Sequence, residues 1–192
     1  MGNREDLLAG AKRCLLEKGY TRTTARDIAN ASGVSLAAIG YHFGSKTALL
    51  NEALRDAIAE WGDEVAAALA AASDPYASAA ERFEATWTRV IESFGANRQL
   101  WAIQFEVLAH NERTPDMQRA FAGSNRQARL GLAELFGIDV KSSDTRQAEV
   151  IGAYYQALLV GLAAQRLADP EGFPTGRELL HAIQTVTADL HD

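Results

Sequence analysis

Four groups of residues in this 192-residue chain have types and spacings that could do chemistry. Glu178-Leu179-Leu180-His181 is a Glu-x-x-His spacing, which sets a carboxylate and an imidazole on one helix face, as in two-metal carboxylate sites. Such sites need two of these motifs and two further carboxylates. Only one motif is present, so the expectation is a solvated helix face and no metal. Glu106 and His110 stand one helical turn apart and could bond each other or a ligand, although chance spacing is the simpler reading. Thr24, Ser35 and Ser45 each precede a helix-forming stretch. A helix start offers free backbone N–H groups and a partial positive charge, which suit a phosphate. As N-caps alone these residues are worth about 1 kcal/mol each. Lys46 sits in the first turn of the next helix, where a cation opposes the helix dipole unless an anion lies nearby.

The fourth group is aromatic. Trp61, Phe83, Trp87, Trp101, Phe105, Tyr154 and Tyr155, with polar neighbours Gln104, Asn111 and Gln156, either fill a helical core or line a mostly apolar ligand cavity. No Gly-rich phosphate loop, Gly-x-Ser-x-Gly or His-Glu-x-x-His occurs, so an enzyme is not expected. Cys14 has no partner for an internal disulfide and reads as a small buried hydrophobe.

The elements that must position these groups are helical. Apolar residues recur at three- and four-residue spacing, no stretch alternates with period two, and the four prolines fall beside turn residues. The spacing predicts about nine helices. Four lie in the N-terminal part: residues 4–18, a second opening at Thr24, a third over 36–42, and a fourth opening at Ser45 and running past Trp61. Five follow at roughly 76–95, 97–111, 115–136, 144–168 and 175–191. Ala31-Ser32-Gly33 makes a tight turn between helices two and three, with Gly33 suited to a positive φ. Two helices joined this way form a helix-turn-helix pattern. Phe43 follows the apolar spacing of helix three and reads as core.

From Thr23-Thr24-Ala25-Arg26-Asp27-Ile28-Ala29 through Gly33-Val34-Ser35 to Ile39-Gly40-Tyr41-His42-Phe43-Gly44-Ser45-Lys46, the chain resembles the TetR family of transcriptional regulators. The matching stretch is about residues 5–54, and the later helices agree with the family in plan. The resemblance implies an all-α chain with an N-terminal three-helix DNA-binding domain, residues 1–48, and a helical-bundle ligand-binding and dimerisation domain, residues 49–192. It implies phosphate contacts at Tyr41 and His42 and a base-edge contact for Arg26. Thr24, Ser35 and Lys46 join them at the backbone. Leu36, Ala37, Ala38 and Gly40 face the groove without a side-chain donor, so base reading there is apolar contact or DNA shape. Where many members carry tyrosine, this chain has Gly40.

The charge agrees once it is mapped along the chain. The formal net charge is −6, but residues 1–50 hold seven basic and four acidic residues, a net of +3. The rest hold 12 and 21, a net of −9. That is a basic module on an acidic body. The longest apolar run, Val65 to Ala72, is too short to cross a bilayer. The expected partners are a double-stranded DNA operator, a second copy of the chain through the last two helices, and a small-molecule effector, with no cofactor, metal or membrane. The expected role is a cytoplasmic, ligand-responsive repressor. A constitutive activator or architectural protein is one alternative, and an α-helical enzyme the weaker one. Gly152 and Gly161, each costing about 1 kcal/mol inside a helix, are expected where the backbones of the two copies approach closely.

Overall fold

The computed structural model describes residues 3–110, 115–140 and 144–188. Among them are nine helices and no strand: α1 Asn3–Lys18, α2 Ala25–Ser32, α3 Leu36–Phe43, α4 Lys46–Ala71, α5 Ala79–Ala96, α6 Arg98–His110, α7 Pro115–Leu135, α8 Thr145–Ala168 and α9 Gly176–Ala188. No helix among the described residues is long and apolar enough to cross a membrane. The side chains of His110 and of the first turns of α7, and the whole of Asn111 and Leu190, lie outside the described residues.

The chain forms two compact units. The first joins Met1–Asp63 with Asn97–Glu112. Its core is built from one apolar face per helix: Leu7, Ala11 and Leu15 of α1, Ile28 of α2, Ile39 of α3, Leu49 and Leu50 of α4, and Ile103 and Val107 of α6 are all buried. Gly10 lets α1 and α2 approach closely, since a Cβ there would come 2.9 Å from the Cβ of Ser32. Cys14 is buried, as expected of a small hydrophobe. Ion pairs tie α1 to α4, with Arg4 on Glu52 at 2.5 Å and Lys12 on both Asp56 and Glu60 at 2.5 and 2.6 Å. Burial by itself would lower the Lys12 pKa, but its bonds to the two carboxylates outweigh that and hold it above the ordinary lysine value. Phe43 is half-buried under the Arg4 guanidinium, 4.9 Å from the ring centre.

The second unit comprises Glu64–Ala96 and Arg113–Asp192. In it α7 packs on α8, and α5 packs on α9 and α8. Two close approaches fix these pairs. A Cβ on Gly152 of α8 would fall inside the carbonyl of Arg129 on α7, 2.9 Å from that residue's Cα. A Cβ on Gly176, which opens α9, would likewise collide with the Glu84 carbonyl and the Thr88 hydroxyl of α5. The close approach at Gly152 is therefore made within one chain, against α7. Gly161 has open space where its Cβ would be.

Candidate functional site

Three helix starts in the first unit look alike in sequence, and the structure separates them. Thr24 and Asp27 form a complete capping box at α2. The Thr24 hydroxyl donates to Asp27 Oδ2 at 2.6 Å and accepts from the Asp27 N–H at 3.1 Å, so its proton is committed inside the protein. Ser45 accepts from the Ala48 N–H at 3.0 Å. Ser35 stands at the N-cap position of α3 but makes no side-chain cap bond, and it is exposed. Its hydroxyl remains available to an outside acceptor.

The Lys18 ammonium lies 2.6 Å from Asp27 Oδ1. That bond, with those from the Thr24 hydroxyl and N–H, holds the Asp27 carboxyl far below the usual carboxylate range. A group whose pKa is depressed on folding adds stability that is present above its unfolded value and lost as pH falls through the folded one. The α2 cap is thus expected to persist down to about pH 4, the ordinary aspartate value, and to weaken only below it. Acid titration of Asp27→Asn against the parent checks this: the variant should lack the stability change that the parent shows below that pH.

The outward face of α3 is bare. Leu36 is 52% exposed and Tyr41 86% exposed, and Ala37 and Gly40 are exposed beside them, with Ala38 half-buried. A Cβ on Gly40 would meet nothing within 4 Å. The Tyr41 ring touches the half-buried His42 edge-on at 4.9 Å. Arg26 is exposed on α2. Lys46 is different. Its ammonium donates to the Thr23 carbonyl at 2.9 Å, so the cation that seemed to need an outside anion already ties α4 to the start of α2. The first unit thus sets Arg26, Ser35, Leu36, Ala37, Gly40, Tyr41 and His42 on α2 and α3, while Thr24 and Lys46 also carry bonds of the fold.

The aromatic residues divide between the units. Trp61 and Trp101 pack edge to face at 5.1 Å in the first, with half-buried Gln104 and Phe105 also on α6. In the second, Trp87 lies 6.4 Å from Phe83 and 5.2 Å from Phe136, and Phe136 stacks on Tyr155 at 3.9 Å and 8°. Phe136, in the turn after α7, is the ring that sequence reasoning missed; it lies one residue before Gly137, whose φ of +83° turns the chain there. Trp87 is 1% exposed, and its indole N–H has no hydrogen-bond partner among the described residues. Burial raises the Tyr155 phenol above its usual value, with the neighbouring Tyr154 adding to the effect. Tyr154 itself is 46% exposed and meets the Tyr155 ring edge-on at 5.4 Å, at the margin of the cluster. Gln156 accepts from Arg129 Nε at 3.1 Å, which ties it to α7.

The other sequence candidates resolve structurally. Glu178 forms a capping box with Thr175 at the start of α9, so its carboxylate serves a helix end. No group of three or more potential metal ligands occurs among the described residues. Glu106 bonds the connection between α1 and α2, 85 and 86 residues away in sequence.

Residues 7–53 match the family model described as bacterial regulatory proteins, tetR family, and residues 79–191 match that of the BetI-type transcriptional repressor, C-terminal. The HTH-type transcriptional repressor AcnR of Corynebacterium efficiens is 37% identical over 65 residues, 34% of this chain and 35% of that protein. The repressor KstR2 of Rhodococcus jostii is 31% identical over 115 residues, 58% and 54% of the two chains. The matches thus span about a third to a half of these curated relatives. Two solved structures cover nearly the whole chain at 25% identity. The multidrug binding protein EbrR, complexed with imidazole, matches with a TM-score of 0.64 over 95% of this chain and 87% of its own. A transcriptional regulator from Saccharomonospora viridis in complex with choline matches with 0.60 over 93% of each.

Proposed function

We propose, from the premise that this chain belongs to the TetR family of bacterial transcriptional regulators, that it is a homodimeric repressor released from a pseudo-palindromic operator by a small, mostly apolar effector. It is a DNA-binding regulator and not an enzyme. The observation that carries the reading is the bare face of α3, where an 86% exposed tyrosine stands beside apolar and small residues with no role in the core. A helix of this kind suits a major groove, with Leu36, Ala37, Ala38 and Gly40 against base edges. Tyr41, His42, Ser35 and Lys46 hold phosphates, Thr24 supports them through the α2 cap, and Arg26 reaches a base. In this division residues 1–48 bind DNA and residues 49–192 bind the effector and the second copy, in the cytoplasm.

Dimerisation through α8 and α9 would cover Val150, Tyr154 and Val186, apolar residues exposed on those two helices. A two-fold pair then presents two α3 helices to successive major grooves, about 34–36 Å apart. For the effector, the strongest support is the buried Trp87 N–H beside Phe83, Phe136 and Tyr155. An unmet donor in such a place costs about 1–3 kcal/mol, which a ligand acceptor would relieve. In the first unit, Trp61, Trp101, Gln104 and Phe105 are separate candidates for effector contact.

The test is selection of bound DNA from a random pool at a stated salt concentration, because affinity falls steeply with salt. A pseudo-palindromic consensus is expected, and Tyr41→Ala should weaken binding to it about tenfold without changing the melting temperature. Choline is the first effector probe, since aromatic faces attract quaternary ammonium ions. Recovery of no consensus sequence would overturn the reading.

A further inference from the structure

We propose that Glu106 is a positioning residue for DNA binding, a latch through which α6 sets the α1–α2 turn and with it the reading helices; the proposal rests on the regulator reading above. The latch is a single carboxylate that collects three donors. Its Oε2 accepts the Tyr20 N–H at 3.0 Å, and its Oε1 accepts the Thr21 N–H at 2.9 Å and the Thr21 hydroxyl at 2.5 Å. Both oxygens are engaged by groups that follow the last turn of α1, where the chain reverses towards α2. Gly19 shapes the turn through its backbone conformation, a φ of +86°, and a Cβ there would meet Glu106 Oε2 only in ordinary contact, at 3.4 Å.

Such an arrangement is short-ranged in two senses. Hydrogen bonds to a charged acceptor are roughly twice as strong as neutral ones but weaken steeply with distance and angle. Because all three converge on one carboxylate, a slide of α6 by about 1 Å strains them together. The carboxylate also lies near the C-terminal end of α1, which the helix dipole makes unfavourable for an anion, so specific bonds and not general electrostatics hold it there.

The turn it holds is coupled onward to the reading helices. The Tyr20 hydroxyl donates to Asn51 Oδ1 of α4 at 2.8 Å. The buried Thr23 hydroxyl donates to the Gly19 carbonyl at 2.7 Å, and the Thr23 carbonyl accepts Lys46. Thr24 then caps α2. Residues 19 to 24 are thus bonded to α6, α4 and α2 in succession. On α6, Trp101 packs against Trp61 of α4. A binding event that displaces α6 must work against that ring contact and the latch together.

The experiment uses the full chain and its selected operator at fixed salt. Glu106→Ala should lose about tenfold or more of operator affinity, within the usual range of coupling between sites. Its affinity for random duplex should stay within about twofold of the parent, since phosphate attraction does not depend on the turn. Amide hydrogen exchange at Tyr20 and Thr21 should accelerate while that at Asp27 does not. Glu106→Gln keeps one acceptor oxygen and the size of the side chain, so it should fall between, and it decides the matter if the alanine variant fails to fold. Parent-like operator affinity in Glu106→Gln together with protected Tyr20 and Thr21 amides would overturn the latch while leaving the regulator reading intact. A parent protein that selects no DNA sequence would overturn both.

Discussion

Replacing Gly152 with alanine is expected to destabilise the second unit by about 3 kcal/mol, the upper part of the range for overpacking a close contact. The sign is what makes the result informative. Inside a helix, glycine to alanine ordinarily stabilises by about 1 kcal/mol. At Gly152 the new methyl group would enter the Arg129 carbonyl, and backbone cannot rotate aside as a side chain can. The α7–α8 pair must open instead. The same change at Gly161, where a Cβ meets nothing within 4 Å, is expected to stabilise the single chain by about 1 kcal/mol. Thermal unfolding of both variants checks the pair, with a drop of about 10 °C expected for Gly152→Ala in a chain of this size. If Gly161 lies at the seam between two copies, Gly161→Ala will also weaken the dimer, which sedimentation at several concentrations reads separately.

The second large effect concerns the reading face. Ala37→Glu puts a carboxylate on the exposed side of α3 without touching the core, so the melting temperature should not change. Against base edges and phosphates the charge is repelled, and the two copies of a dimer each carry it. The loss should be about hundredfold or more in operator affinity, from roughly 1–3 kcal/mol at each half-site. Fluorescence anisotropy with the selected duplex at fixed salt measures it. Binding unchanged from the parent would mean that α3 does not enter the groove.

The long helices were legible because their apolar spacing is regular over many turns, and the resemblance carried by Thr23 to Lys46 identified the family. Helix starts were read less well. Ser78-Ala79-Ala80-Glu81 is a capping-box spacing, and the structure uses it, with the Ser78 N–H on Glu81 and the Glu81 N–H on Ser78. A start near residue 76 overlooked this, and α5 begins at Ala79. The candidate site was legible as residue types but not as partners. Lys46 looked like a cation awaiting a phosphate because Thr23 lies 23 residues away and no local pattern announces its carbonyl. Glu106 showed only a chance spacing with His110, because its partners Tyr20 and Thr21 lie 86 and 85 residues away. Gly152 is expected between two copies but lies against Arg129 of the same chain, because the spacing of a lone glycine does not say which helix comes near.

The first unit is discontinuous, and that has a consequence for how the protein is made. Residues 1–63 leave the ribosome first, but the carboxylate that closes the α1–α2 turn belongs to residue 106. At about 5–20 residues per second it emerges some 2–9 s later, a long interval beside the microseconds in which single helices form. During that interval the Tyr20 and Thr21 amides have only water as a partner for these bonds. The α1–α2 turn is made before residue 106, yet it reaches its final form only after residues 64–96 of the other unit have been synthesised.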